Sequence, residues 1–217
     1  MAKLRLGVMI SGSGTNLQAL IDACKSEGYP AEIVVVISNR PRVMGLDRAK
    51  AAGIKTVTID HKRFEDRAEF EEEIHQTLKE HNVGLVCLAG FMRLLNADFV
   101  NRWKDRMINI HPSLLPSYKG LHTHARALED GVRFAGCTIH YVRPEMDNGP
   151  IIMQTAIPID HGETEESLIA KTLTYEHSMY PAAVKLIAEK RIRVSGNKVV
   201  YSEDVSLGNS GLISPVP

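Results

Sequence analysis

Cysteine is scarce in this chain, tryptophan scarcer, and net charge is absent. The three cysteines, Cys24, Cys87 and Cys137, lie far apart in 217 residues and form no C-x-x-C pair. An odd, widely spaced set excludes a disulfide framework and the common zinc spacings, and reads as buried thiols in a reducing compartment. Lys plus Arg and Asp plus Glu each total 26, so the formal net charge is zero. Such a balance argues against broad nucleic-acid or membrane-surface binding, though not against a local cationic pocket. No apolar run approaches the roughly 20 residues of a membrane span, and no basic-then-apolar leader is recognisable. Internal repeats and low-complexity blocks are lacking too. The expectation is a cytoplasmic protein, monomer or homodimer, whose partners are small-molecule substrates.

What is present alternates between strand and helix. Leu4 to Ser11 is a continuous apolar strand, the kind buried on both faces of a parallel sheet. It runs through Gly12-Ser13-Gly14-Thr15-Asn16 into a helical pattern at Leu17, Leu20, Ile21 and Cys24. Further strands are expected at Glu32 to Ser38, Lys55 to Ile59 and Val83 to Ala89, with helices from about Met44 to Ala52 and through Phe70, Ile74 and Leu78. That alternation is the signature of a doubly wound sheet. Strands at Ala135 to Tyr141 and Ile151 to Pro158 follow, then a helix from Thr164, an N-cap with Glu165 and Glu166 in its first turn. Pro181 should bend or end that helix. Ile192 to Val194 and Val199 to Tyr201 resemble a hairpin. Residues 1–201 are expected to form one domain, and the Ser/Gly/Pro-rich residues 202–217 a loose tail.

The chemistry concentrates between Met107 and Gly149. Asn109 and His111 sit two apart at the end of an apolar run, so a strand there points both side chains to one face. Strand ends are where open α/β sheets place their ligands. An amide donor, an imidazole and a nearby carboxylate, Asp147, suit acyl transfer. Attack of an amine on a carbonyl builds an oxyanion that needs preorganised donors, each contributing about 100- to 1000-fold in rate, and the amine must lose a proton. Taken singly, Asn109 also fits a turn cap, His111 a core histidine and Asp147 the Asp-Asn-Gly-Pro turn. A metal site built on His111, His122, His124 and His140 is not expected, because no carboxylate or thiolate ligand accompanies them at metal spacing and H-E-x-x-H is absent.

Asn109-Ile110-His111-Pro112-Ser113-Leu114-Leu115-Pro116, followed by Asp147-Asn148-Gly149-Pro150, resembles the folate-dependent formyltransferases. The added Gly120-Leu121-His122-Thr123-His124 resembles the branch whose acceptor is the amine of 5-phosphoribosylglycinamide, in purine synthesis. The resemblance runs from Ser11 to about Pro181. It implies a Rossmann-like α/β formyltransferase fold, a mostly parallel twisted sheet with helices on both faces, whose N-terminal half binds nucleotide and whose C-terminal half binds folate. It implies 10-formyltetrahydrofolate as the formyl donor, no metal, and Asn109, His111 and Asp147 as the catalytic set.

Other positions acquire roles in the same way. By spacing alone the glycine-rich turn is a tight βα turn or an anion cradle, not a G-x-G-x-x-G or P-loop; the resemblance makes Gly14, Thr15 and Asn16 the grip on the substrate phosphate. Glu176 lies on the apolar face of the last helix and needs a partner, protein or ligand; the resemblance implies the ribose hydroxyls. Arg67, otherwise a solvated arginine, is placed near the glutamate carboxylates of folate. Met92, Arg93, Leu94 and Leu95 become a wall for the pteridine; for Leu94 and Leu95, core packing is the reading without the resemblance. Arg143, Pro144, Glu145, Met146 and Asp147 belong to a loop that contacts the pterin, with Asn109 also at the folate, and His122 supports a polar substrate atom. Asn148 departs from the small residue expected there.

Two rival readings keep the same residues. Formyltetrahydrofolate deformylase replaces the amine with water and is expected to carry an extra N-terminal domain, for which a first strand at Leu4 leaves no room. A formyltransferase acting on transfer RNA is expected to add a basic C-terminal domain. A third reading is a catalytically silent binder of folate or nucleotide.

Overall fold

The computed structural model describes residues 2–206 and, as backbone, 213–214. The chain forms two compact units, Met1–Asn109 and Ile110–Pro217.

In the first unit the order is β1 (Leu4–Ile10), α1 (Thr15–Lys25), β2 (Ala31–Ser38), α2 (Met44–Ala51), β3 (Thr56–Thr58), α3 (Arg67–Glu80), β4 (Leu85–Leu88), α4 (Ala97–Arg102) and β5 (Met107–His111), the last of which runs two residues past the unit. All strand pairs here are parallel: β1 with β2 and with β4, β2 with β3, and β4 with β5. Continuous apolar runs explain this, since strands covered on both faces need no polar alternation. Val8, Met9, Ile10, Val35, Val36 and Ile37 are all 0% exposed, and each such side chain contributes about 1.5–3 kcal/mol by leaving water. With β2 on one side of β1 and β4 on the other, the strand order reverses at β1. Loops that leave the carboxyl ends of strands flanking a reversal diverge and open a crevice. The Gly12 turn and the Gly90 segment are those loops.

The second unit begins with the end of β5 and continues through α5 (Thr123–Glu129), β6 (Phe134–Tyr141), β7 (Ile151–Pro158), α6 (Glu165–Ala188), β8 (Ile192–Ser195) and β9 (Lys198–Tyr201). β6 and β7 pair antiparallel, with a register shift between Ile139 and His140. Thr164 is the N-cap of α6, as its sequence announces, and forms a reciprocal capping box with Ser167.

Two expectations are corrected. Pro181 neither ends α6 nor divides it, for the helix is continuous from Glu165 to Ala188. The neighbouring Met179, Tyr180, Ala183 and Val184 are 0% exposed, and their burial holds the turn that lacks one N–H. The stretch after Tyr201 is not loose where it is described. Arg191 holds the Asp204 carboxylate at 3.0 Å and its carbonyl at 2.8 Å, Val205 is buried, and Ile213–Ser214 (β10) pairs antiparallel with β7. Residues 207–212 and 215–217 of the expected tail lie outside the described residues.

Candidate active site

The first unit carries the glycine-rich turn. Gly14 adopts φ +71° and caps α1, and a Cβ on it would come within 2.7 Å of the Gly45 Cα. The turn therefore packs backbone against backbone on the start of α2, an approach only glycine allows. The Gly45 N–H donates to the Gly12 carbonyl at 3.1 Å, and Arg48 Nε donates to the Ser13 carbonyl at 2.9 Å. Thr15 opens α1 half-buried, and Asn16 is buried one residue on.

Ser11 links this turn to the Gly90 segment. Its hydroxyl donates to Asn39 Oδ1 at 2.5 Å and accepts the Met92 N–H at 2.8 Å, while the Ser11 N–H donates to the Gly90 carbonyl at 3.1 Å. At the other end Asn96 caps α4, and its own N–H donates to the buried Glu71 carboxyl at 2.9 Å. Burial pushes the Glu71 carboxyl above its ordinary value. Between these two anchors Met92 and Leu94 are 56% and 63% exposed. Core packing is thus excluded for Leu94; Arg93 is exposed and Leu95 half-buried. Arg67 is exposed at the first residue of α3, behind the Asp66 cap.

The second unit brings His111 and Asp147 together. The segment Val142 to Gly149 is a loop closed at its base by the Tyr141 N–H donating to the Pro150 carbonyl at 2.9 Å. Asp147 adopts φ +50°, a left-handed turn conformation that Asp tolerates better than most residues. Its carboxylate accepts the Gly120 N–H at 2.8 Å and stands 3.6 Å from His111 Nδ1. His111 Nε2 lies 3.0 Å from the Tyr118 carbonyl. A carbonyl only accepts, so Nε2 carries hydrogen and Nδ1 is the nitrogen turned toward Asp147. The sequence anticipated His111 and Asp147 as partners; it did not anticipate Tyr118 as the group that fixes the tautomer.

His140, weighed in the sequence only as a metal ligand and set aside, stands beside the pair instead. Its Nε2 stands 3.9 Å from the other Asp147 oxygen, and its Nδ1 lies 3.0 Å from the Tyr141 carbonyl. Burial lowers its pKa to about 4, against the opposing pull of the Tyr141 carbonyl and Asp147, so the ring is neutral near pH 7. Its signal was the alternation Thr138, His140 in an apolar strand, two polar side chains on one buried face. The register shift at His140 is a local irregularity of the kind that re-aims side chains beside sites.

The remaining candidates are distributed as follows. Asn109, half-buried, is the alternate neighbour of His111 on β5. In the Asp147 loop Arg143 is half-buried, Pro144, Glu145 and Met146 are exposed, and Asn148 accepts from Lys119 Nζ at 2.9 Å while donating to Glu145 at 2.5 Å. His122 is exposed, with φ +56°, at the N-cap of α5. Glu176 is buried on α6 at 5% exposure, and its charge is among the causes that raise the Cys137 thiol, after burial. Among the described residues no three His, Cys, Asp or Glu side chains converge with metal-site geometry, and no helix is long and apolar enough to cross a membrane.

Comparison with known proteins gives this arrangement a family. Residues 4–184 match the formyl transferase family model. The chain is 41% identical over 194 residues to phosphoribosylglycinamide formyltransferase of Escherichia coli K12, covering 89% of this chain and 92% of that protein. It is 47% identical over 195 residues to the human trifunctional purine biosynthetic protein adenosine-3, covering 90% of this chain. The chain spans about a fifth of the length of that trifunctional relative, 19% of it. Among solved structures, glycinamide ribonucleotide transformylase 1 from Symbiobacterium toebii superposes with a TM-score of 0.90 at 43% identity, over 93% of this chain and 95% of that one. A formyltetrahydrofolate deformylase from Burkholderia mallei superposes at 0.84 with 29% identity, over 93% of this chain and 71% of that one. A mostly parallel α/β sheet, a strand ending in Asn109 and His111, and a family match across both units lead to one statement: this chain belongs to the formyl transferase family.

Proposed function

We propose that the chain transfers the formyl group of 10-formyltetrahydrofolate to the primary amine of 5-phosphoribosylglycinamide, within purine synthesis. The observation that carries this reading is the pairing of His111 Nδ1 with the Asp147 carboxylate at 3.6 Å, one strand position pair away from Asn109, in a family whose chemistry is formyl transfer. That separation is longer than a hydrogen bond. The Nδ1 edge is therefore not committed to the carboxylate and is open to a substrate atom.

The donor is a substrate that supplies an activated formyl carbonyl. As the amine nitrogen bonds to the formyl carbon, the carbonyl oxygen gains negative charge, which Asn109 and His111 stabilise. Asp147 accepts the proton that the amine loses, directly or through water. Collapse of the oxyanion breaks the bond from carbon to the folate nitrogen, which takes up a proton and leaves. In the first unit Gly14, Thr15 and Asn16 hold the acceptor phosphate, Arg67 pairs with the folate glutamate, and Met92 to Leu95 offer apolar surface beside Met92 and Arg93 backbone. In the second, Glu176 holds ribose hydroxyls, Arg143 to Met146 line the folate side, and His122 reaches a polar substrate atom. The exposure of Met92 and Leu94, at 56% and 63%, fits a planar apolar ligand better than it fits a core.

The test is a spectrophotometric assay with a 10-formyl folate, run with and without phosphoribosylglycinamide. Amine-dependent loss of the formyl group, with formylated ribonucleotide as product, is the expected result. Formate released without the amine indicates the deformylase, and ligand binding without turnover indicates a silent binder; either outcome removes the proposal.

A further inference from the structure

The backbone segment Tyr118 to Leu121 touches the candidate catalytic pair from both ends. The Tyr118 carbonyl accepts from His111 Nε2 at 3.0 Å, and the Gly120 N–H donates to Asp147 Oδ2 at 2.8 Å. The relative placement of imidazole and carboxylate therefore depends on where four backbone units sit.

A cavity of about 260 Å³ adjoins that segment, lined by Ser113, Ser117 and Tyr118 on the loop and by Thr123, Arg126 and Ala127 on α5, among others. Tyr118 adopts φ +54°, a conformation that aromatic residues rarely occupy without external support. Polar support comes from α5 and the residue that caps its end. The Tyr118 hydroxyl donates to Asp130 Oδ2 at 2.9 Å, and the Arg126 guanidinium stacks over the Tyr118 ring at 5.3 Å. Arg126 Nη1 also donates to the Lys119 carbonyl at 2.8 Å and the Leu121 carbonyl at 3.4 Å, bracketing Gly120. A planar, multi-donor cation is suited to this, because it can stack and bond two carbonyls in one pose.

We propose that Arg126, with Asp130, is a positioning residue for the reaction: it fixes the Tyr118–Leu121 backbone as a jig that keeps His111 protonated on Nε2 and Asp147 aligned with Nδ1. This rests on the roles given to His111 and Asp147 under the proposed function. Neither Arg126 nor Asp130 touches a reacting atom; both act through backbone groups.

The test combines imidazole nitrogen NMR with kinetics on the full chain. Arg126→Ala is expected to shift the His111 signals away from a single Nε2–H tautomer and to lower kcat by about ten- to hundredfold, the scale of a displacement near 1 Å, with KM for the acceptor within about twofold. Tyr118→Phe and Asp130→Ala are expected to move the tautomer in the same direction by less, and Asp130→Asn, which keeps an acceptor, to restore it. An unchanged tautomer in Arg126→Ala overturns the proposal, whether or not the variant is less thermostable. A tautomer that shifts in a chain unable to transfer formyl groups upholds the positioning and removes only the reaction assigned to it.

Discussion

Gly149 stands against the Tyr141 carbonyl so closely that a Cβ built on it would overlap the oxygen. The contact lies at the base of the Asp147 loop, beside the hydrogen bond from Tyr141 N–H to the Pro150 carbonyl. Gly149→Ala must push the two ends of the loop apart, moving Asp147 two residues away. Turnover is expected to fall about a hundredfold or more, since errors near 1 Å in catalytic geometry cost that much, while affinity for the nucleotide stays within a few-fold. Steady-state kinetics beside nucleotide titration measures this; equal loss of both would show that the loop does not set Asp147 alone.

The glycine-rich turn responds differently. Gly14→Ala places a methyl 2.7 Å from the Gly45 Cα at φ +71°, so backbone must move against backbone. Expected is destabilisation of about 1–3 kcal/mol, with nucleotide KM rising more than kcat falls. A denaturant midpoint that stays in place, with unaltered KM, would refute the packing argument.

The sequence made the frame legible because the frame is repetitive. Continuous apolar strands, the capping residues at Thr164 and the two-residue spacing of Asn109 and His111 all leave periodic marks. What escaped notice depends on groups without such marks. Tyr118 enters the site by a backbone carbonyl that every residue possesses, and Glu71 anchors the Met92 segment by accepting one N–H. Leu94 fitted core or ligand wall equally, because apolar identity was all that could be seen, whereas the fold leaves it 63% exposed. Pro181 looked like a bend or an end because burial around it was invisible. His140 was visible, but only its distance to Asp147 gives it meaning.

His140 makes acid stability a readout of the site. Burial holds its pKa near 4 in the folded chain, against an ordinary value of 6.5. Between those values the unfolded chain binds more protons, so stability falls as pH drops from about 6.5 and the loss is complete below about 4. The full effect is about 3 kcal/mol at 1.4 kcal/mol per pKa unit. Urea unfolding at several pH values is expected to give a shallower slope over this window for His140→Gln than for the parent chain. Parallel slopes would mean that the ring is protonated without penalty.

Glu71 separates hydrogen bonding from charge. Glu71→Gln keeps an acceptor for the Asn96 N–H and removes a carboxyl that burial already disfavours as an anion, so stability near pH 8 is expected to be equal or higher. Glu71→Ala strands that N–H and is expected to cost about 1–3 kcal/mol and to raise KM for the folate donor. Thermal melts of the two variants decide it; a Gln variant as unstable as the Ala variant would point to charge instead of the N–H acceptor.

The rarity and placement of cysteine give the chain an unused practical property. Cys87 and Cys137 are buried, and burial pushes the half-buried Cys24 thiol up to about 11, leaving few thiolates at neutral pH. A cysteine introduced at exposed Met146 would outcompete all three native thiols for a maleimide dye. The Asp147 loop can thus be given a single fluorescent reporter without first stripping the protein of its own sulfur.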